Sequence, residues 1–436
     1  MIYVVMGRGV EGCGVTKFSI ELCKYLSQND LSHRCIAFND KKWTRRKSHD
    51  YNIEEVSLEK DDSYRSFMER AEKECSLVII NSLPSSSHSK QFVERFNEFL
   101  KLNTKFALIQ HDHSSMSIKR NESLDEAIDV ASICFSHSKN NFFSKYINEK
   151  YNSSDLSSFF GDNETSKAVD TFQPAFDFDE CKKQYWKNID ETDKKHHKWI
   201  GRTAHWKGFA LMLDWHKEKL QPNKNLTTLE GIETGIVYPD FLVHSPHHNF
   251  IKAVTDATKK VFYQRGFEDQ YINQYGWHAV PFDVSTQNIN SINLSQYYGD
   301  MAAVFGIYNN HELLERMSRV GFGYQLTLLK PENIDYSIEY THCEVVACGA
   351  IPVFHKQFGK QCRHRLTDIP LAESTDSGTI WLDESNFDKT IELVKQLEND
   401  KVMRNEWREM AFEFYKNHQD SKYVFDDLMQ KIKRAI

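Results

Sequence analysis

The 436-residue chain contains no Cys-x-x-Cys pair; its nine cysteines stand apart at positions 13, 23, 35, 75, 134, 181, 343, 348 and 362. An odd, dispersed set points to reduced thiols rather than to a disulfide framework or a thiolate zinc site. No apolar run reaches the length of a membrane span, and the opening run Met1-Ile-Tyr-Val-Val-Met6 has no basic stretch ahead of it. Neither a spanning helix nor a secretory leader is therefore expected. Nor is there an excess of positive charge: 55 Lys and Arg face 62 Asp and Glu, for a net charge of −7. That argues weakly against nucleic acid as a partner, but the distribution of charge matters more than its sum. No internal repeat or low-complexity stretch is present. Finally, the segment Gly7-Arg-Gly-Val-Glu-Gly-Cys-Gly-Val-Thr-Lys17 has the glycines of a phosphate loop but not its lysine. A Walker loop needs Lys directly before Ser or Thr to reach the β- and γ-phosphates. Val15 holds that place, and Lys17 follows Thr16, which argues against a nucleoside triphosphatase.

What is present suits a two- or three-domain globular chain: 40% hydrophobic, 27% charged and 13% aromatic residues. Short apolar runs at Ile2–Met6, Arg34–Phe38, Leu77–Asn81, Phe106–Gln110 and Ile133–His137 read as strands. Residues 16–28 have helical spacing through Phe18, Leu22, Tyr25 and Leu26. This alternation predicts a parallel sheet covered by helices on both faces. Residues 151–195 are polar and read as an excursion and linker. Strands resume at Trp199–Gly201, Thr227–Gly231, Ala302–Ile307, Ile351–Phe354 and Thr379–Leu382, with 232–300 read as an insertion. The charged tail 385–436 is helical. The expected division is 1–195, 196–400 with a divergent segment 232–310, and 401–436 packing back toward the first domain.

Two late segments carry the chemistry. In Trp199-Ile-Gly-Arg-Thr-Ala-His-Trp-Lys-Gly208 a strand ends at Gly201, and Arg202 and Lys207 follow, well placed to hold a diphosphate. In Glu339-Tyr-Thr-His-Cys-Glu-Val-Val-Ala-Cys-Gly-Ala-Ile-Pro-Val353 a helix is expected to begin near Thr341. Its N–H groups and positive dipole end would attract phosphate, and Glu344, one turn in, could accept hydrogen bonds from both ribose hydroxyls. An ordinary helix-to-strand turn would also account for either segment alone. Gln110-His-Asp-His-Ser114 ends a strand, where parallel sheets line their ligand crevice. Asp112 there could act as a base toward an alcohol, with His111 binding the sugar or orienting Asp112. Metal binding by the two flanking histidines is the alternative, although no further ligand stands at a diagnostic spacing. His137 in Phe135-Ser-His-Ser138 could line the same crevice. Lys41-Lys-Trp-Thr-Arg-Arg-Lys47 could contact DNA phosphates through Lys42, Arg45 and Arg46, with Arg120 adding to the patch, or could be a solvated basic turn.

The run Glu344 to Val353 resembles the Glu-x-x-x-Ala-Cys-Gly-x-x-Pro-Val of GT-B glycosyltransferases, which have two facing Rossmann-like domains, a central cleft and a C-terminal helix crossing back. The glycine-rich segment through Phe18, Gln110–Ser114, Phe135–Ser138, Trp199–Arg202 with Trp206–Gly208, Gly321–Leu326 and Glu339–His342 together resemble the DNA α-glucosyltransferases of T-even bacteriophages, in the same order over most of the chain. That resemblance implies a retaining transfer of glucose from UDP-glucose to 5-hydroxymethylcytosine in double-stranded DNA, in the cytoplasm of an infected bacterial host. It implies that Arg202 and Lys207 hold the diphosphate, Glu344 the ribose and Glu339 the sugar hydroxyls. Gly12, Gly14, Tyr340 and Thr341 complete the donor site, while His111 and Asp112 serve the reacting centre. No motif requires a metal, and no membrane partner is expected. The divergent 232–310 segment leaves UDP-arabinose as an alternative donor. A glycosyltransferase with a non-DNA acceptor and a non-enzymatic DNA-binding protein are further alternatives.

Overall fold

The computed structural model describes residues 1–7, 14–39, 51–84, 88–111, 123–138, 141–151, 167–187, 193–200, 232–236, 292–293, 303–307, 314–315, 317–318, 320–327, 339–364 and 366–436. Two seven-stranded sheets organise them. The first is parallel throughout, in the order β3-β2-β1-β4-β5-β6-β7. Its strands are β1 (Ile2–Met6), β2 (His33–Asn39), β3 (Glu54–Ser57), β4 (Leu77–Asn81), β5 (Lys105–Gln110), β6 (Ala131–Ser136) and β7 (Ala168–Thr171). The inner strands β1, β4, β5 and β6 are nearly unbroken apolar runs because helices cover both faces of a parallel sheet. Val4 of β1 pairs with Cys35 on one side and Ile79 on the other. Chain order therefore reverses between β1 and β4, and a crevice opens beyond their carboxyl ends.

Helices α1 (Gly14–Gln28), α2 (Asp61–Glu74), α3 (Lys90–Phe99), α4 (Leu124–Val130) and α5 (Phe142–Tyr151) connect these strands. Helix α3 is capped by the Ser89 hydroxyl, which accepts from Phe92 N–H at 3.2 Å, and it buries Phe92, Val93, Phe96 and Phe99. Phe38 meets the rings of Phe67, Phe96 and Phe99 edge-on at 5.3, 5.8 and 5.4 Å, the preferred arrangement for aromatic quadrupoles.

The second sheet has the order β10-β11-β9-β8-β12-β13-β14, parallel except where β10 joins β11. Its strands are β8 (Asp193–Ile200), β9 (Ile232–Ile236), β10 (Ile292–Asn293), β11 (Ala303–Ile307), β12 (Val320–Gln325), β13 (Ile351–His355) and β14 (Ile380–Leu382). Here the reversal lies between β8 and β12. Helices α6 (Phe178–Tyr185), α7 (Tyr340–Ala347), α8 (Lys356–Gln361), α9 (Phe387–Asn399), α10 (Lys401–Gln419) and α11 (Ser421–Ala435) follow, with two short 3-10 turns at Leu371–Glu373 and Glu384–Asn386. None of the described helices is long and apolar enough to cross a membrane.

The chain divides into two compact units, one holding Met1–Phe176 and Ser421–Ile436, the other Asp177–Lys330 and Ile338–Asp420. The boundary falls earlier than residue 195 because α6 packs within the second unit. Trp186 Nε1 donates to Ala347 O at 2.8 Å, Lys182 meets Glu409 at 2.6 Å, and Phe178 packs edge-on to Phe412 at 5.6 Å. The tail also splits. Helix α10 belongs to the second unit, where the Cys343 thiol on α7 donates to Gln419 Oε1 at 2.7 Å. Helix α11 alone returns to the first, where Tyr25 Oη donates to Asp426 at 2.5 Å and Lys431 pairs with Asp170 at 3.1 Å.

The stretch 151–195 is not simply a linker, since it supplies β7, α6 and the start of β8. The 232–300 stretch is not simply an insertion either. Strand β9 lies inside the sheet, with Glu233 beside both Lys198 and Val304. The strand expected at 227–231 lies outside the described residues.

Candidate active site

In the first unit, side chains converge beyond the ends of β4 to β7 and at the start of α1. Asn81 is the last residue of β4 and fully buried. Its Nδ2 donates to Val15 O at 2.9 Å and to Ser19 Oγ at 2.6 Å, both in the first turns of α1. Its Oδ1 lies 2.6 Å from Nε2 of His111, the residue after β5. The His111 ring packs against Phe18 at 5.2 Å, Phe172 at 4.9 Å and His137 at 5.5 Å. His137 follows β6 and stacks on Phe172 at 4.3 Å. Phe172 follows β7, and its N–H donates to Ser136 O at 3.0 Å. Behind them Phe425 of α11 meets Phe18 at 5.2 Å. Ser82, next to Asn81, has φ of 107°, in the left-handed region that favours glycine. Strained residues of this kind collect at functional sites.

This assembly brings together His111, His137 and the helix opened by Gly14. Gly12, Asp112, Arg120, Lys42, Arg45 and Arg46 lie outside the described residues. Reasoning from sequence passed over Asn81, Ser19 and Phe172. The available signal was a polar residue closing the apolar run Leu77-Val-Ile-Ile80, at the end where a parallel strand meets its crevice.

In the second unit the counterpart lies beyond β12. Glu339 is the N-cap of α7, one residue before the helix start. Its N–H donates to Nδ1 of His342 at 3.2 Å, and the fully buried His342 ring stacks on Phe358 at 4.3 Å. Gln325 closes β12 and donates from Nε2 to Glu339 Oε2 at 3.4 Å and to the Thr341 hydroxyl. Thr327 Oγ1 donates toward Gln325 Oε1 at 3.0 Å and Glu339 Oε2 at 3.4 Å. A carboxylate and two hydroxyls are thus fixed at a helix N-terminus, whose dipole favours negative charge.

Tyr340 and Glu344 are both buried within the same helix. Close packing of α7 on the sheet depends on Gly323, where a Cβ would stand 2.5 Å from Val345 Cγ1. Gly349, at φ of 84°, ends the helix and turns the chain into β13. Arg202 and Lys207 follow β8, the strand on the other side of the reversal, and lie outside the described residues. Gln325 and Thr327 were not singled out from sequence. Among the described residues no group of three His, Cys, Asp or Glu side chains is placed to hold a metal ion.

The chain is similar to known proteins along nearly its whole length. The family model described as DNA alpha-glucosyltransferase matches residues 13–242 and 240–402. The DNA alpha-glucosyltransferase of Enterobacteria phage T4 is 35% identical over 429 residues, covering 98% of each chain. A solved alpha-glucosyltransferase in complex with UDP superposes with a TM-score of 0.77 at 32% identity, covering 99% of each chain. Another, in complex with UDP-glucose and DNA containing an abasic site, gives a TM-score of 0.75 at 32% identity over 99% of each. The fold is therefore the GT-B arrangement of two Rossmann-like units. With a family model spanning nearly the whole chain and a relative 35% identical along its length, the chain belongs to the DNA alpha-glucosyltransferase family.

Proposed function

We propose that this chain transfers glucose from UDP-glucose to the hydroxymethyl oxygen of 5-hydroxymethylcytosine in duplex DNA, forming an α linkage with retention. The observation that carries the proposal is the end-to-end likeness to an enzyme solved with UDP-glucose and DNA. The coarser statement, a UDP-sugar-dependent glycosyltransferase acting on DNA, follows from the same likeness and from the family match. The polar cluster at the start of α7 supports a nucleotide-sugar site in the second unit.

In this reading Arg202 and Lys207 hold the diphosphate, and their charge-assisted bonds strengthen as UDP departs. Glu344 accepts from the ribose hydroxyls, and Glu339 with Tyr340 and Thr341 faces the sugar. Gly12 and Gly14 keep the loop before α1 slim enough for close approach. The bond between the sugar C1 and the diphosphate oxygen breaks, and one from C1 to the hydroxymethyl oxygen forms. The hydroxyl proton leaves toward Asp112, with His111 beside it. Lys42, Arg45, Arg46 and Arg120 neutralise DNA phosphates, which makes affinity fall with salt. The target base leaves the stack to reach the crevice, as in other enzymes that act on bases.

The test is mass spectrometry of nucleosides from hydroxymethylcytosine DNA incubated with the protein and either UDP-glucose or UDP-arabinose. A hexose increment on hydroxymethylcytosine is expected. A pentose increment alone would overturn the donor, and no increment with either sugar would overturn the acceptor. Asp112→Asn is expected to retain UDP binding while turnover falls on the order of a hundredfold; unchanged turnover would remove the role given to Asp112.

A further inference from the structure

We infer that Asn81 is a positioning residue that holds His111 in its Nε2–H tautomer, which makes Nδ1 the acceptor nitrogen of the ring. The inference rests on the reading that places His111 at the reacting centre.

Val15 O is a carbonyl oxygen and can only accept. It lies 2.9 Å from one end of the Asn81 amide, so that end must be the NH₂ group. The Ser19 hydroxyl donates its single proton to the same Val15 O at 3.1 Å, leaving its oxygen to accept from Asn81 Nδ2 at 2.6 Å. An inverted amide would set its oxygen against Val15 O. The other end of Asn81 is therefore the carbonyl Oδ1, also an acceptor. His111 Nε2, 2.6 Å from it, must carry a proton. A neutral imidazole protonated at Nε2 has Nδ1 as its acceptor nitrogen.

Every component is anchored. Asn81 and Ser19 are fully buried. Phe18, Phe172 and His137 hold the His111 ring from three directions. In its neutral form the ring so held carries its acceptor at Nδ1, the chemistry that takes a hydrogen bond from a hydroxyl. Asn81 reaches the reaction through His111 and through the first turns of α1.

The decisive measurement uses the full-length protein labelled with ¹⁵N-histidine. Two-bond ¹H–¹⁵N correlations distinguish the tautomers, and the His111 signals are identified by their loss in His111→Gln. Unliganded wild type is expected to show a protonated Nε2 and an unprotonated Nδ1 at His111; an Nδ1–H pattern overturns the inference without reference to activity. Asn81→Ala is expected to mix the two tautomers and to lower kcat roughly ten- to a hundredfold, with both KM values within about threefold. Retained kcat in Asn81→Ala would also overturn it. Should that variant fail to fold, as judged by its thermal melt, the wild-type spectrum still decides. His111→Gln separates the two readings: full turnover there removes His111 from the reacting centre and leaves the tautomer result as it stands.

Discussion

Ser82 shows how a single residue carries the geometry of the crevice. Its φ of 107° lies where a Cβ is strained, and such strain costs about 1–3 kcal/mol unless the surroundings enforce it. Asn81 just before it is tied to α1 and to His111. Ser82→Gly is expected to raise stability by about 1 kcal/mol, because glycine adopts this angle without penalty. It is also expected to lower kcat, because Asn81 would sit less firmly. Urea denaturation and turnover on one preparation check both; a destabilised variant would show that the hydroxyl, not the backbone, matters there.

The elements differ in how openly the sequence declares them. Strands β1, β4, β5 and β6 could be read directly, since each is a run of Val, Ile, Leu or Phe bounded by polar residues. Strand β3, Glu54-Glu-Val-Ser57, could not. It lies at a sheet edge, and its Glu54 is paired with Arg34 and Arg70. Strand β12 escaped for the opposite reason. Gly321, Gly323, Tyr324 and Gln325 dilute its apolar signal, yet it runs through the middle of the second sheet, with Phe322, Tyr324 and Gln325 buried. The glycine serves α7 packing, and the glutamine serves the polar cluster beside Glu339. Half the candidate site was legible because histidines and the Glu339–Val353 run are conspicuous; Asn81, Gln325 and Thr327 act through partners that only folding brings near.

Gly323→Ala drives a methyl into Val345 and toward Met317 Sδ at 3.2 Å. It should cost about 1–3 kcal/mol and weaken UDP binding, measurable by denaturation and calorimetry. Glu74, at the end of α2, accepts from Tyr3 Oη at 2.5 Å and from Arg34 Nε at 2.7 Å. These bonds hold its carboxyl below the usual glutamate range. A depressed carboxylate stabilises the fold above its unfolded pKa, and that contribution is lost as pH falls through the folded value. Glu74→Gln should therefore be less stable than wild type at pH 7, and the gap should close below roughly pH 4. Urea midpoints at pH 7 and pH 3 test this, and a gap independent of pH would contradict it.

At the scale of the whole molecule the decisive feature is the return of α11 to the first unit. Phe425 is fully buried and meets Phe18, which in turn meets His111. Phe425→Ala should cost about 3–5 kcal/mol and lower turnover, while UDP affinity stays near wild type; unchanged turnover in the folded variant would contradict this. The same return has a consequence for biosynthesis. The first unit needs residues 421–436, which leave the ribosome only after residues 177–420 have been made. At about 5–20 residues per second, the nascent first unit waits on the order of ten to fifty seconds without its last helix, with the Phe18 wall uncovered. Translation order thus delays completion of the His111 crevice until the second unit has emerged, and chaperone demand should concentrate in that interval.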